Sequence, residues 1–317
     1  MSAPTVEIDA QYRQLREECG LVERADRGLL IVSGPEAAEY LQGQLTNDTE
    51  AIEPGQWIYA ALLDRKGHMQ ADMRVVRPGD GPELWLDLEP EGLAAAGRHL
   101  QMYKVGRDVE VADGGEEHAL LSLIGPRAVE VAGTSALPEG ACEPASIVGA
   151  AALALGASEG VDLIVPIAER DRVRESLLAA GAVEVSPQAA EILRIEAGRP
   201  RFGAEMGPET MPAEAGIVER AVSFTKGCYI GQETVARLHY KGRPNRHLRG
   251  LRFSGPGRPG ASLALGGKEV GKVGSAAVSP ALGPIGLAIL RREAEPGATL
   301  SLGEDGVTAE VVALPFG

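Results

Sequence analysis

The sequence predicts an α+β protein: two related α+β subdomains followed by a small C-terminal β-barrel. An internal echo predicts the related pair. Val32-Ser33-Gly34-Pro35-Glu36-Ala37-Ala38-Glu39-Tyr40-Leu41 resembles Leu123-Ile124-Gly125-Pro126-Arg127-Ala128-Val129-Glu130-Val131-Ala132. In both, an apolar strand-like run ends at Gly-Pro and passes into an Ala-rich segment of helical period. A change of texture predicts the barrel. After Gly242 the helical period gives way to short strands punctuated by Gly and Pro. The expected division is 1–242 for the α+β region and 243–317 for the barrel.

The elements follow in order. Proline needs no hydrogen-bond donor at the first helical position, so Pro35 and Pro126 are expected at helix starts. Trp57 to Leu63 and Ala71 to Val76 read as strands around the turn Asp64-Arg65-Lys66-Gly67. Glu83 to Leu88 gives another strand and Glu91 to Lys104 a helix. Leu163 to Ile167 reads as a strand, and Glu169 to Ala180 as a helix ended by Gly181. A further helix runs from Pro187 to Gly198, with Ile192, Leu193, Ile195 and Ala197 as its apolar face. Gly271 to Pro280 and Ile285 to Leu290 supply barrel strands.

The 317 residues carry 44% hydrophobic and 24% charged side chains, ordinary for a globular protein. No apolar run approaches the roughly 20 residues of a membrane span. The polar, acidic N-terminus lacks the plan of a signal peptide. Cys19, Cys142 and Cys228 are far apart, odd in number and without metal-ligand spacing. These features lead to an expectation of a reducing, cytoplasmic setting, with no membrane partner and no bound metal. A formal net charge of -14 argues against general nucleic-acid binding.

Within that acidic chain, Lys226-Gly227-Cys228-Tyr229-Ile230-Gly231-Gln232-Glu233 stands out. It sets a cysteine beside a lysine and between glycines, just ahead of an expected helix start at Gly231 to Glu233. A nearby ammonium and a helix N-terminus both favour a thiolate, while Glu233 opposes it. Glycine at 227 and 231 permits positive φ or close approach of a ligand. Free cysteines are usually small buried apolar groups, and Cys19 and Cys142 read that way. From Thr234 to Lys268 there is no Asp or Glu, yet Arg237, Lys241, Arg243, Arg246, Arg249, Arg252, Arg258 and Lys268 are present. This basic island has three readings: a solvated surface, an attractor for a polycarboxylate ligand tail, or a site for an acidic partner or RNA. His239, Tyr240 and His247 interleave with it, as in some RNA-contacting loops. The rest of the chain offers no nucleic-acid motif, so the RNA reading is not favoured.

These pieces together resemble the folate-binding YgfZ family, relatives of the glycine-cleavage aminomethyltransferase (T protein). The resemblance is carried by Arg27-Gly28, Gly34-Pro35, Leu41 to Asp48, Tyr59 to Asp64, Lys66-Gly67 and Asp72. Further along it rests on Arg194-Ile195-Glu196-Ala197-Gly198, on Gly203 and on the octapeptide at 226–233. It implies a ring of three subdomains with tetrahydrofolate in a central hole, and a role in assembly or repair of iron–sulfur enzymes. Folate and iron–sulfur carrier or client proteins are the implied partners. Asp72 matches a T-protein Asp placed near the nitrogens that bear the one-carbon unit, where a carboxylate can hold or accept a proton. Asp162 matches the acid that recognises the pterin, one methylene shorter than the usual Glu.

The chain also departs from the T-protein pattern: Ala152 to Ser158 replace the segment before that acid, and Ala190 stands where an arginine is usual. Arg194 and Glu196 are ligand groups or form a buried ion pair or helix-end bond, and Tyr59 and Trp57 stack on the pterin or belong to the core. Cys228 and Lys226 are expected to carry chemistry together with Asp72 and to form a functional rim with the basic segment, while Gly227, Gly231, Gln232, Glu233 and Arg237 are expected to contact the folate. Two alternatives stand beside this reading. One is a folate-dependent one-carbon transferase using Asp72. The other is an RNA- or protein-interaction module using residues 237–252.

Overall fold

The computed structural model describes residues 5–24, 27–303 and 306–316. The chain forms two compact units, neither of them one continuous run. Met1–Leu62, Ala71–Ala190 and Thr225–Tyr229 make the first; Leu63–Gln70, Glu191–Phe224 and Ile230–Gly317 make the second.

In the first unit, helix α1 (Thr5–Glu17) precedes two repeats of one plan. The first repeat is β1 (Gly20–Glu23), β2 (Gly28–Ser33), α2 (Ala37–Gln44), β3 (Gln56–Leu63), β4 (Met69–Arg77), β5 (Leu84–Leu88) and α3 (Pro90–Tyr103). The second is β6 (Glu110–Asp113), β7 (His118–Ile124), α4 (Ala128–Ala132), β8 (Cys142–Ile147), β9 (Ala150–Ala157), β10 (Gly160–Pro166) and α5 (Arg170–Ala179), followed by β11 (Val183–Glu184). The sheets have the orders β3-β4-β5-β2-β6 and β8-β9-β10-β7-β1-β11. The echo read from the sequence is this repeat. Each repeat lends its short leading strand to the other: β6 pairs antiparallel with β2, and β1 with β7.

The prolines of the echo sit two positions earlier than expected. The helices begin at Ala37 and Ala128 with Glu36 and Arg127 as N-caps, so Pro35 and Pro126 lie in the turns before them. Gly34, at φ 109, explains the turn: a Cβ there would come within 2.4 Å of the Asp108 carbonyl. The strand must therefore break before the helix can begin.

Strand alternation gives each sheet two working faces. On the first sheet Leu30, Val32, Ala71, Met73, Val75, Leu84, Leu86 and Leu88 pack on Tyr40 and Leu41 of α2 and on Ala96 and Leu100 of α3. The second sheet packs Leu121, Leu123, Val161 and Leu163 on α4 and α5 in the same way. The remaining faces meet each other, with Leu29, Trp57 and Val76 from the first sheet against Leu120, Cys142, Leu153, Leu155 and Ile164 from the second.

Helix α6 (Pro187–Glu196) leads into the second unit, which adds α7 (Pro212–Ala215), α8 (Val218–Ala221) and α9 (Gln232–Lys241). The barrel strands are β12 (Arg246–Phe253), β13 (Ser262–Leu265), β14 (Lys268–Lys272), β15 (Ser275–Ser279), β16 (Gly283–Arg291), β17 (Thr299–Leu302) and β18 (Val307–Val312). The order β12-β18-β17-β13-β14-β16 returns from β16 to β12, closing six strands, while β15 pairs on β16. Closure removes exposed sheet edges around a core that includes Leu251, Leu263, Leu290, Leu300 and Val311. Among the described residues no helix is long and apolar enough to cross a membrane.

Candidate functional site

The inner face of the first sheet carries buried charge. On β4, Asp72 and Arg74 are two residues apart and therefore point to the same side, as do Trp57 and Tyr59 on β3 and Trp85 and Asp87 on β5. Arg27 enters just before β2, and Glu89 is the N-cap residue of α3. Arg27 donates from Nε to Asp87 at 2.6 Å and from Nη1 to Glu89. Arg74 donates from Nε to the other oxygen of Asp87 at 2.6 Å, and from Nη1 to Asp162 of the second sheet at 2.5 Å. Ser122 Oγ donates to the remaining oxygen of Asp162 at 2.6 Å. The result is a chain Glu89–Arg27–Asp87–Arg74–Asp162–Ser122, with the Arg74 guanidinium 5.6 Å from the Trp57 ring centroid.

Asp72 stands at one end of this chain and differs from the rest. Its Oδ2 accepts a hydrogen bond from the Tyr59 hydroxyl at 2.5 Å, while its Oδ1 is buried with no partner. Burial pushes the Asp72 carboxyl up to about 6; the Tyr59 bond and Arg27 oppose that rise and Glu89 adds to it. Asp87 goes the other way. Burial would raise it, but Arg27 and Arg74 more than offset this and hold it far below the usual carboxylate range. Trp57 Nε1 and Trp85 Nε1 are also buried without partners. An unpaired buried polar atom costs about 1–3 kcal/mol, so three of them around one face are a place for a ligand or water to bond.

The octapeptide supplies the second cluster of this unit. Lys226 is buried, and its Nζ donates to the carbonyls of Gln42, Leu45 and Asn47 at 2.6, 2.7 and 2.9 Å. Those carbonyls lie at and just past the C-terminus of α2, where an ammonium is favoured. Burial pulls Lys226 down to about 8, with Asp48 and Glu50 opposing. Three acceptors suit the three donors of the charged form. The expectation of an ammonium serving the Cys228 thiol is thus corrected: Lys226 is committed to backbone carbonyls. Tyr229 is buried, whereas Gly227 and Cys228 are exposed. Cys19 and Cys142 are buried, which lifts both thiols to about 11.

Other expected residues lie in the second unit. Gly231 caps α9 at φ 85, and a Cβ there would meet the Asp64 carbonyl at 2.5 Å, so glycine is required by packing. Gly227 has open space around its Cα and no such demand. Gln232 and Glu233 occupy the first turn of α9, with Glu233 and Arg237 exposed. Arg194 pairs with Glu191 and Glu205 and donates to Ser275, while Glu196 is buried and accepts from the Ser279 hydroxyl. Both tie α6 to β15. In the basic island Arg246 forms two bonds to Glu214, and Phe224 and His239 stack at 3.9 Å. Arg243 is exposed.

The structure therefore brings Tyr59, Asp72 and Asp162 onto the apposed sheet faces and adds Arg27, Arg74, Asp87, Glu89 and Ser122, which were not singled out as site residues. Two of these carry a signal in the sequence. Asp87 interrupts the apolar strand Leu84 to Leu88, and Arg74 repeats the two-residue spacing of Asp72.

Known proteins match nearly the full length of the chain. The GCVT N-terminal domain family matches residues 4–226, and the glycine cleavage T-protein C-terminal barrel domain matches residues 246–316. An aminomethyltransferase of Rubrobacter xylanophilus is 32% identical, covering 98% of this chain and 86% of the relative. One from Saccharopolyspora erythraea is 30% identical, covering 97% and 89%. The crystal structure of glycine cleavage system aminomethyltransferase T from Bartonella henselae shares the fold, with a TM-score of 0.87 at 23% identity over 98% of this chain and 89% of that one. With both domains matched in order along nearly its full length, the chain belongs to the glycine cleavage T-protein family.

Proposed function

We propose that this chain binds tetrahydrofolate against the charged inner face of the first sheet, as an aminomethyltransferase-like, folate-dependent protein. The observation that carries the reading is Asp72, a buried carboxyl with one oxygen held by Tyr59 and the other unpartnered. A reduced pterin presents ring N–H donors and a carbonyl acceptor, which fit an open carboxylate oxygen and the two unpartnered indole N–H groups. When bound, tetrahydrofolate supplies a nitrogen that carries a one-carbon unit. Asp72 holds or accepts a proton at Oδ1, and a carboxyl lifted to about 6 is suited to both. Arg27, Asp87 and Arg74 fix the floor beneath it, and Asp162 with Ser122 braces that floor from the second sheet.

The finer reading is a YgfZ-like role, in which the protein supports assembly or repair of iron–sulfur enzymes through Cys228. Its support is the octapeptide, whose exposed thiol is flanked by the buried anchors Lys226 and Tyr229. A single cysteine does not hold a cluster that takes four ligands, so any cluster contact is shared with a partner. The test uses cells lacking the protein, complemented with wild type or Cys228→Ser at matched abundance, and reads [4Fe–4S] enzyme activity under oxidative stress. Loss of activity with the serine variant, while it still binds tetrahydrofolate, is the expected result. Full activity in the uncomplemented cells removes the iron–sulfur role and leaves one-carbon transfer, which requires Asp72 and tolerates Cys228→Ser.

A further inference from the structure

Tyr59 has a half-buried ring and a hydroxyl that could serve the site in two different ways. As a flat ring it would stack on a ligand. As a hydroxyl it donates to Asp72 Oδ2 across neighbouring strands β3 and β4. The second role is visible in the geometry and has a consequence for the carboxyl. A carboxylate has two equivalent oxygens and can rotate to serve either; once one oxygen is held, the other has a fixed direction. Here the held oxygen is Oδ2, and Oδ1 is buried without a partner. The charged groups that act on this carboxyl are Glu89 ahead of α3 and Arg27 ahead of β2. Arg27 is bonded to Asp87 and Glu89, and Asp87 to Arg74, while the backbone N–H of Asp72 itself also favours the ionised carboxylate.

We propose that Tyr59 is the positioning residue of the site: it pins one oxygen of Asp72 and reserves the other for an N–H donor of the ligand. This rests on the folate reading for the ligand's identity, but not for the pin itself. The carboxyl, ionised above about 6 and neutral below, is the stronger acceptor of an N–H donor in its ionised form, when neither oxygen carries a proton. The Tyr59 bond favours the ionised form, so removing it moves the protonation of Asp72 upward. Loss of a hydrogen bond to the charged form is expected to raise the Asp72 midpoint by roughly one to two pH units.

The experiment compares wild type with Tyr59→Phe, which keeps the ring and deletes only the hydroxyl. Tetrahydrofolate affinity is measured anaerobically from pH 5.5 to 8.5, and Asp72 is titrated in the ligand-free protein by carboxyl NMR, with Asp72→Asn to assign its signal. The expected result is a parallel upward move of both midpoints, with Tyr59→Phe binding about tenfold weaker near pH 6.5 and close to wild type at pH 8.5. An affinity loss of equal size at every pH, with the Asp72 midpoint unmoved, overturns the proposal and makes Tyr59 a stacking or packing residue. An unchanged Asp72 midpoint with unchanged affinity overturns it as well. If the Asp72 midpoint moves while neither protein binds tetrahydrofolate, the pin stands and the folate reading falls.

Discussion

The two sheets of the first unit have matching topology, and their apposed faces have diverged. Gly34 and Gly125 align the repeats, so the places taken by Leu29, Asp87 and Arg74 in the first sheet correspond to Leu120, Ile164 and Leu153 in the second. Where the first sheet sets a guanidinium against a carboxylate, the second sets leucine against isoleucine. Asp162 breaks the apolar pattern of the second sheet, and it is drawn into the network of the first by Arg74. The difference teaches that one repeated plan carries a polar floor in one half and an apolar wall with a single brace in the other. A buried floor of this kind is poor at stabilising a fold, since desolvation offsets much of the ion-pair attraction. The proposed ligand gives this floor a role that stability does not.

The largest effect is expected from making the floor resemble the wall. Asp87→Leu leaves Arg27 and Arg74 without their shared carboxylate, and unfolding in urea should show a loss of about 3–5 kcal/mol. A loss below 1 kcal/mol would mean that the floor relaxes as readily as the wall.

Asp72→Asn is expected to act in the opposite direction. An acid whose folded value is raised from 3.8 to about 6 makes folding less favourable wherever it must ionise. The stability it contributes is therefore greatest below about 4 and declines as pH rises through about 6. At pH 8 the asparagine variant should be more stable than wild type by up to about 3 kcal/mol, with the gain fading between pH 6 and pH 4. A variant less stable at pH 8 would show that the Asp72 charge is satisfied in the protein.

In the wall, Ile164→Val removes one buried methyl group and should lose about 1 kcal/mol, independent of pH between 5 and 8. A pH-dependent loss would show that the wall titrates with the floor. Cys228→Ser is the smallest change: the side chain is exposed, and stability should move by less than about 0.5 kcal/mol. A larger loss would make the thiol a packing group and remove the premise of its proposed role.

Much of the frame was legible in the sequence because its signals are local. The Gly-Pro echo located both repeats, two-residue alternation put Trp57 with Tyr59 on one side, and Gly231 marked the start of α9. What remained hidden depends on pairing across the chain. No local pattern tells that β1 leaves its own repeat to join β7, or that β6 joins β2. Lys226 reads as a partner for its neighbour Cys228, yet its three acceptors lie near residue 45, 179 to 184 positions away. Arg74 and Asp87 escaped notice because isolated charges in strands ordinarily face water; only the apposition of two sheets makes them buried. Pro35 misled because the tight Gly34 turn consumes two residues before the helix can begin.

The most direct test of the account is the affinity of the intact chain for tetrahydrofolate, measured anaerobically at pH 7.5 for wild type and Asp72→Asn. The account predicts saturable binding by wild type and a loss of about tenfold or more in the variant, while the variant remains folded and at least as stable. Equal affinity in the two proteins, or no binding by wild type, would contradict it.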